Sequence, residues 1–575
     1  MLTTRPTLVS VGFFLLFLSL PLISSFSQPS VSSSVYNTFL KCLSEKTQTP
    51  QHQISKIVFS KTNPSYTSVL RAYIRNARFN TSSTPKPTII VTPLTYKHVS
   101  AAVVCSKPLK FVFKIRSGGH DYDGLSYISD KPFFILDMSN LRQVSVDIAD
   151  QTAWISAGAT LGEVYYSIWE KSKVLGFPAG VCPTVGVGGH VSGGGYGNMI
   201  RKYGLSVDHF IDGKIVDVNG DVLDRKGMGE DLFWAISGGG GGSFGVVLGY
   251  KVKLVPVPAT VTVFRVEQYM ESGAVDMVHK WQFVGPKTDR NLFMRMLIQP
   301  ATRNKKKTVR ATVVALFLGR ADDVVSLLSK ELPELALKKE DCKEMTWFQS
   351  ALYWYNYLNA TETDPKVFLD RNLDSAGFGK RKSDYVQTEI PRNGIESLFK
   401  RMAELGKIGL VFNPYGGRMA EIAEDATPFP HRNMLYKIQY SINWKISSPE
   451  IEERYLKQAR VLHNFMTRFV SKNPRSAYLN YRDIDIGVND HGANSFVEGE
   501  VYGRMYFGKN FDRLVKIKTA VDPDNFFWNE QSIPVAQKKK EQSILTLPNK
   551  VYYDMYETLY PPILHEYMRK NKAAA

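Results

Sequence analysis

The sequence predicts an α+β fold in two domains. Three observations carry this. Between residues 87 and 172, short apolar runs alternate with helical patterns, which marks an α/β unit. Beyond Pro258 the apolar runs lengthen and amphipathic helices separate them, which suits a mainly antiparallel sheet backed by helices. The chain has 575 residues, too many for one core at roughly 100–200 residues per domain. Hydrophobic residues make up 43% and charged residues 22%, which excludes a disordered, collagenous or fibrous chain. Four cysteines are too few for a disulfide scaffold.

Residues 1–28 read as a secretory signal. Arg5 supplies the positive start, and residues 9–23 (VSVGFFLLFLSLPLI) are almost wholly apolar. Ser24, Ser25 and Ser27 follow, so cleavage is expected between Phe26 and Ser30. The apolar core is too short to span a bilayer, and Pro21 interrupts it. Sequence inspection finds no other run of about 18 apolar residues, so no membrane partner is expected after signal removal. Asn80-Thr81-Ser82 and Asn359-Ala360-Thr361 fit the N-glycan acceptor pattern, whereas proline disqualifies Asn63-Pro64-Ser65. The surplus of 72 Lys+Arg over 54 Asp+Glu, a formal +18, invites a nucleic-acid reading. The charge is diffuse, however, and Lys305-Lys306-Lys307 and Lys538-Lys539-Lys540 read as solvated faces. Secretion further removes nucleic acid as a partner.

The elements follow in order. Residues 33–42 form a short amphipathic helix. Strands are expected at 87–91, 111–116, 133–137 and 152–158, with a helix at 95–105 and another in LGEVYYSIWEKS. The most glycine-dense stretch, 176–204, comes next. Residues 211–218 and 220–223 form a hairpin turning at Asn219-Gly220. Residues 228–236 are helical and run into Gly238–Gly242, and 244–255 is a strand. The second domain offers strands at 261–268, 293–300, 310–318, 410–414 and 434–444. Its helices are 273–283, 322–332 and 449–469. Residues 478–486 and 506–534 return to the first domain. The expected division is 29–257 with 476–534, then 258–475, then an atypical tail, 535–575. In that tail AQKKKEQS reads as a linker, and residues 551–567 carry five tyrosines.

Chemistry concentrates in glycine loops. Arg116-Ser117-Gly118-Gly119-His120-Asp121 follows a strand directly, where a missing Cβ lets backbone N–H groups approach an anion. A second loop runs from Cys182 to Gly197, and a third is Gly238–Gly242. None ends in Gly-Lys-Ser/Thr, and none gives Gly-x-Gly-x-x-Gly between strand and helix. A dinucleotide site fits best, with tight structural turns as the alternative. The plain reading of His120 is a hydrogen-bonded loop residue, and of Cys182 a buried small hydrophobe. With no Cys-x-x-Cys or His-x-x-x-His pair, no metal is expected.

The segments RSGGHDYDGLSY (116–127), CPTVGVGGHVSGGGYG (182–197), MGEDLFWAISGGGGGSFG (228–245), YGGRM (415–419), PFPHR (428–432), YLNYRD (478–483), YFGKNF (506–511) and VDPDNFFWNEQSIP (521–534) resemble the plant berberine-bridge-enzyme-like flavoproteins, within the vanillyl-alcohol-oxidase fold. The resemblance spans about Ser33 to Pro534 in order. It implies FAD linked twice, through His120 to the flavin 8α-methyl and through Cys182 to ring carbon 6. Arg116, Ser117, Gly118, Gly119, Thr184, Val185, Gly188, Gly189, His190, Gly193, Gly194, Tyr196, Gly197, Phe527 and Asn529 would surround the cofactor. Cys42 and Cys105 would form a disulfide, leaving Cys342 buried and unpaired. Tyr481 would be the catalytic base, beside Tyr196, Lys437 and Gln439, with Tyr478 as the nearby alternative. A phenol with an ordinary pKa near 10 is a poor base at neutral pH, and an adjacent ammonium would lower that value. Val185 resembles the family's oxidase state, which implies reoxidation by O2 with release of H2O2. Two departures stand out: Ser237 replaces a common arginine, and the tail passes the family's usual end.

The expected protein is a secreted, bicovalent FAD oxidase of the apoplast, cell wall or vacuole, with a monomer favoured. It would carry out two-electron oxidation or oxidative cyclisation of a plant secondary metabolite: a phenolic, terpenoid-phenolic or alkaloid. The alternatives are a redox-neutral cyclase or pericyclase with structural FAD, a carbohydrate or monolignol oxidase, and a non-enzymatic cell-wall binding protein. Phe293, Arg295, Tyr355, Tyr357 and Trp444 are candidate substrate walls, though core packing is the plainer role for each.

Overall fold

Period-two alternation places the large sheet. In the strand Leu292–Arg303, Met294, Met296 and Ile298 join the core under the helices, while Arg295 and Leu297 face a cavity. Successive side chains of a strand point to opposite faces, so one strand serves both core and site. The computed structural model describes residues 31–372, 376–492 and 494–537. The signal segment and the tail beyond residue 537 lie outside these.

Seven strands form this sheet, in the order Cys342–Met345, Val261–Tyr269, Lys306–Phe317, Leu292–Arg303, Gly409–Pro414, Tyr436–Trp444 and Phe378–Val386. Every pairing is antiparallel. Helices Ala274–Val284, Arg392–Leu405 and Pro449–Met466 cover one face through Trp281, Phe399 and Leu462.

Two smaller sheets precede it. Val58–Ser60, Ile89–Val91, Phe133–Asp137 and Val112–Arg116 lie side by side in that order. The last three run parallel, joined by the helix Tyr96–Ser106. An antiparallel sheet orders Val144–Asp147, Thr152–Ser156, Val246–Lys253, Phe210–Val216 and Val222–Leu223. Its hairpin turns at Asn219-Gly220 as expected, with Gly220 at φ +88°, a backbone conformation that glycine adopts without steric cost. The result is the expected α+β architecture.

Several elements depart from expectation. The first helix is Val31–Thr47, longer than residues 33–42, and its Cys42 is disulfide-bonded to Cys105 across 63 residues. Cys342 is half-buried on an edge strand rather than fully buried. The strand Phe378–Val386 was not expected: its buried Lys380, Lys382 and Asp384 mask the apolar alternation. Residues 478–486, for which no element is expected, carry the 3-10 turns Leu479–Tyr481 and Ile484–Ile486.

Candidate active site

A cavity of about 410 Å³ lies where the two small sheets, the large sheet and the segment after Tyr478 converge. The first glycine loop leaves the strand Val112–Arg116. Its Gly118 packs so tightly against the second loop that a Cβ would lie 2.3 Å from the Gly186 nitrogen. Only glycine lets the two backbones meet this way. At Gly189 the reverse holds: it lines the cavity and a Cβ there would meet nothing within 4 Å, which leaves room for a flat ligand against the backbone. His120 and Cys182 line the cavity from the two loops, and His120 Nε2 lies 2.9 Å from Thr184 Oγ1. A nucleophile on each of two apposed glycine loops, beside this open floor, fits a flavin held at two points.

Among the expected cofactor residues, Ser117, Gly118, Gly119, His120, Cys182, Val185, Gly188, Gly189, His190, Gly193, Tyr196 and Asn529 line the cavity. Arg116, Thr184, Gly194, Gly197 and Phe527 do not line it. Arg116 is fully buried; its Nε donates to Asp137 at 2.8 Å and its terminal nitrogens to the Leu70 and Val69 carbonyls. It therefore anchors the loop from behind. Phe527 packs edge-on against Phe113 in an apolar core. His190 Nε2 accepts the Gly180 N–H at 3.1 Å. Burial, reinforced by Lys437, lowers its pKa to about 4, so the ring stays neutral and able to accept.

The catalytic candidates come together. The hydroxyls of Tyr196 and Tyr481 are hydrogen-bonded to each other. Lys437 is fully buried beneath them, its ammonium 3.2, 4.0 and 4.2 Å from the ring centroids of Tyr196, Tyr478 and Tyr481. Its Nζ has no hydrogen-bond partner among the described residues. Tyr478 is differently engaged: its hydroxyl accepts from the Gly195 amide and from Asn480 Nδ2. Gln439 Nε2 donates to the Tyr122 hydroxyl at 3.0 Å, and the Tyr122 ring lies 5.4 Å from that of Tyr481.

One expectation is overturned. The phenol of Tyr481 was expected below its ordinary value; instead burial, followed by neighbouring Tyr196, holds it well above. Burial and Arg295 push Lys437 well below its ordinary range. The ammonium meets ring faces rather than the hydroxyl, so loss of solvent decides both shifts.

Of the five candidate walls, Arg295 lines the cavity, donating to Asn413 Oδ1 at 2.9 Å. Phe293 packs on Trp354 in the core, Tyr355 and Tyr357 pack on each other, and Trp444 lies in the helix-covered core. Tyr122 and Asn480 are among the cavity residues not expected from the sequence, although both sit inside quoted motifs. Asn359 is exposed and Asn80 half-buried. Among the described residues no acidic, histidine or cysteine cluster could hold a metal, and no helix is long and apolar enough to cross a membrane.

The comparisons agree with this geometry. Residues 87–225 match the family model described as FAD binding domain, and residues 477–534 the one described as Berberine and berberine like. Together with the two-loop cavity, these matches define an FAD-dependent oxidoreductase. The chain is 79% identical over 544 residues to Berberine bridge enzyme-like 19 of Arabidopsis thaliana, covering 94% of this chain and 95% of that one. Berberine bridge enzyme from Eschscholzia californica superimposes with a TM-score of 0.82 at 37% identity, over 87% of this chain and 100% of that one. Phl p 4, a grass pollen allergen with glucose dehydrogenase activity, gives 0.82 at 41%, over the same shares. The chain belongs to the plant berberine-bridge-enzyme-like flavoproteins.

Proposed function

We propose that this protein is a secreted FAD-dependent oxidase that removes two electrons from a hydroxyl-bearing carbon of a small molecule and passes them to O2, releasing H2O2. The carrying observation is the hydrogen-bonded Tyr196–Tyr481 pair over Lys437, at a cavity shared with His120 and Cys182. When bound, FAD supplies the two-electron acceptor. In this reading Tyr481 takes the substrate hydroxyl proton, and Tyr196 shares that proton through its hydrogen bond. In its ammonium form Lys437 would offset the phenolate through the ring faces, against the burial that favours its neutral amine. Gln439 and Tyr122 orient the hydroxyl, and His120 and Cys182 hold the cofactor covalently. Val185 leaves room for O2 beside the ring.

Residues 1–28 direct the chain into the secretory pathway, residues 29–257 with 476–534 form the flavin domain, and residues 258–475 select the substrate. A plant secondary metabolite remains one substrate reading. A sugar is favoured by a specific observation: Phl p 4 has glucose dehydrogenase activity, and a valine-for-isoleucine variant of it is a glucose oxidase. Arg295, Gln439 and Asn480 on the cavity wall suit a ligand rich in hydroxyls.

A screen of sugars and phenolic, terpenoid and alkaloid alcohols, following oxygen uptake, peroxide and product mass together, tests the proposal. Equimolar peroxide and a product two hydrogens lighter are expected. Product without oxygen uptake would refute the oxidase, and an isomeric product of unchanged mass would favour the redox-neutral cyclase. The double link is tested by acid precipitation: flavin should stay with the chain in His120→Ala and in Cys182→Ala, and leave only in the double variant.

A further inference from the structure

Tyr481 stands on backbone without strand or α-helix. Residues 478–486 carry two three-residue turns, so side chains must set where the phenol sits. Asp483, two residues on, is held on four sides. Its carboxylate meets Lys380 at 2.7 Å and Lys382 at 2.6 Å. Its N–H donates to the Tyr506 hydroxyl at 3.2 Å, and its carbonyl accepts from Gln531 Nε2 at 2.9 Å.

Asp123, three residues after His120, faces the same point. Its Oδ2 accepts from Lys380 Nζ at 2.7 Å and from the Ile484 amide at 3.0 Å. One ammonium, 2% exposed, is thus shared by carboxylates 0% and 4% exposed that belong to the flavin loop and to the base segment. Asp123, Asp483, Asp485 and Glu452 make four acids. Lys380, Lys382, Arg78 and Arg460 make four bases, each in an ion pair with one of the four acids. Between the two lysines, Arg381 lies over the Tyr122 ring at 5.4 Å, and that ring packs on Tyr481. An apolar contact tolerates sliding, whereas a desolvated ion pair loses its compensation once its geometry fails.

We infer that Lys380, bridging Asp123 and Asp483, is a positioning residue for the oxidation, fixing the Tyr481 phenol relative to the loop that carries His120. This rests on the reading of Tyr481 as the base. A misplacement of about 1 Å at a reacting centre costs roughly 10²-fold in rate, which sets the size of the expected effect.

The test uses flavin-loaded mature protein in three forms: Lys380→Met with Asp123→Asn, which removes the bridge and leaves three acids against three bases; Lys380→Arg, which keeps both ion pairs; and the unaltered chain. The double variant should keep its flavin and its melting temperature within a few degrees. Its anaerobic flavin reduction at saturating substrate should fall about 10²-fold with KM within about threefold, and Lys380→Arg should recover most of the rate. Hydrogen exchange at residues 478–486 should rise about tenfold. A double variant that reduces its flavin at the unaltered rate overturns the inference. So does a rate loss matched by flavin loss or unfolding, or one that Lys380→Arg leaves in place. Should the screen find no oxidised substrate, the proposed function fails, while exchange still decides the clamp: unchanged protection at 478–486 in the bridge-less variant overturns it.

Discussion

Replacing Tyr481 by phenylalanine removes one hydroxyl and keeps the ring. The ring contacts to Tyr478 at 5.1 Å, Tyr122 at 5.4 Å and Tyr196 at 6.1 Å survive, as does its face toward Lys437. The lost hydrogen bond is the one to Tyr196. Leaving that partner unsatisfied costs about 1–3 kcal/mol, offset by no longer burying the Tyr481 hydroxyl, so the variant should fold and hold flavin. Its effect on chemistry should be larger. A positioned general base contributes about 10²–10⁴-fold, or roughly 3–5 kcal/mol of barrier at 1.36 kcal/mol per tenfold. The assay is anaerobic flavin reduction by stopped flow, across pH, on the unaltered chain, Tyr481→Phe and Lys437→Met. The base works deprotonated and burial holds its pKa high, so the rate should climb with pH. Lys437→Met should move that climb to higher pH where the ammonium persists beside the phenolate, and leave it in place where burial keeps the amine neutral. Tyr481→Phe reducing its flavin within about tenfold of the unaltered rate would refute the assignment and return the role to Tyr478.

Val185→Leu should slow flavin reoxidation by O2 about tenfold or more while leaving anaerobic reduction unchanged, read by double-mixing stopped flow. Breaking the disulfide with Cys42→Ser and Cys105→Ser frees a 63-residue span and should cost about 4 kcal/mol by loop entropy, measured by denaturant unfolding. Stability should also fall in acid. Burial lowers the pKa of His190 and His463 to about 4 and of His431 to about 3, and for His463 it outweighs Asp384 at 3.5 Å. An unfolded imidazole binds its proton below about 6.5. Between there and about pH 4 the unfolded chain therefore holds more protons, at up to about 1.4 kcal/mol per pH unit per histidine. Asp485, held below the ordinary carboxylate range despite burial by Arg460, Lys380 and Lys382, adds to the loss at lower pH, and Asp121, raised by burial, opposes it. A melting temperature equal at pH 7 and pH 4.5 would contradict this balance.

What could be read from the sequence shares a physical character. The strand Phe133–Asp137 and the helix Leu161–Lys171 announce themselves through an apolar run and a helical pattern, both local features. The glycine loops are equally local, since close backbone approach demands glycine whatever lies across the gap. Two features depend instead on partners distant in the chain. Arg116 adjoins the flavin-loop motif, yet its side chain is committed to Asp137 and to carbonyls more than forty residues away. The direction of the Tyr481 shift was read from the sign of a neighbour, whereas the absence of water around both groups decides it.

The strand Phe378–Val386 joins these two features to the site itself. A strand carrying Lys380, Lys382 and Asp384 looks exposed, because burying a charge is unfavourable without a partner. The partners exist but are supplied from elsewhere: Asp123 for Lys380, Asp483 for both lysines, and Arg475 for Asp384. The same ion pairs that hid the strand tie it to the flavin loop and to the irregular segment bearing Tyr481. Chemistry-bearing loops can be recognised one at a time because glycine, histidine and cysteine act over a few residues. The distance between those loops is set by charges that make sense only as pairs, and a charged run that reads as a solvated face can therefore be the part that holds an active site in register.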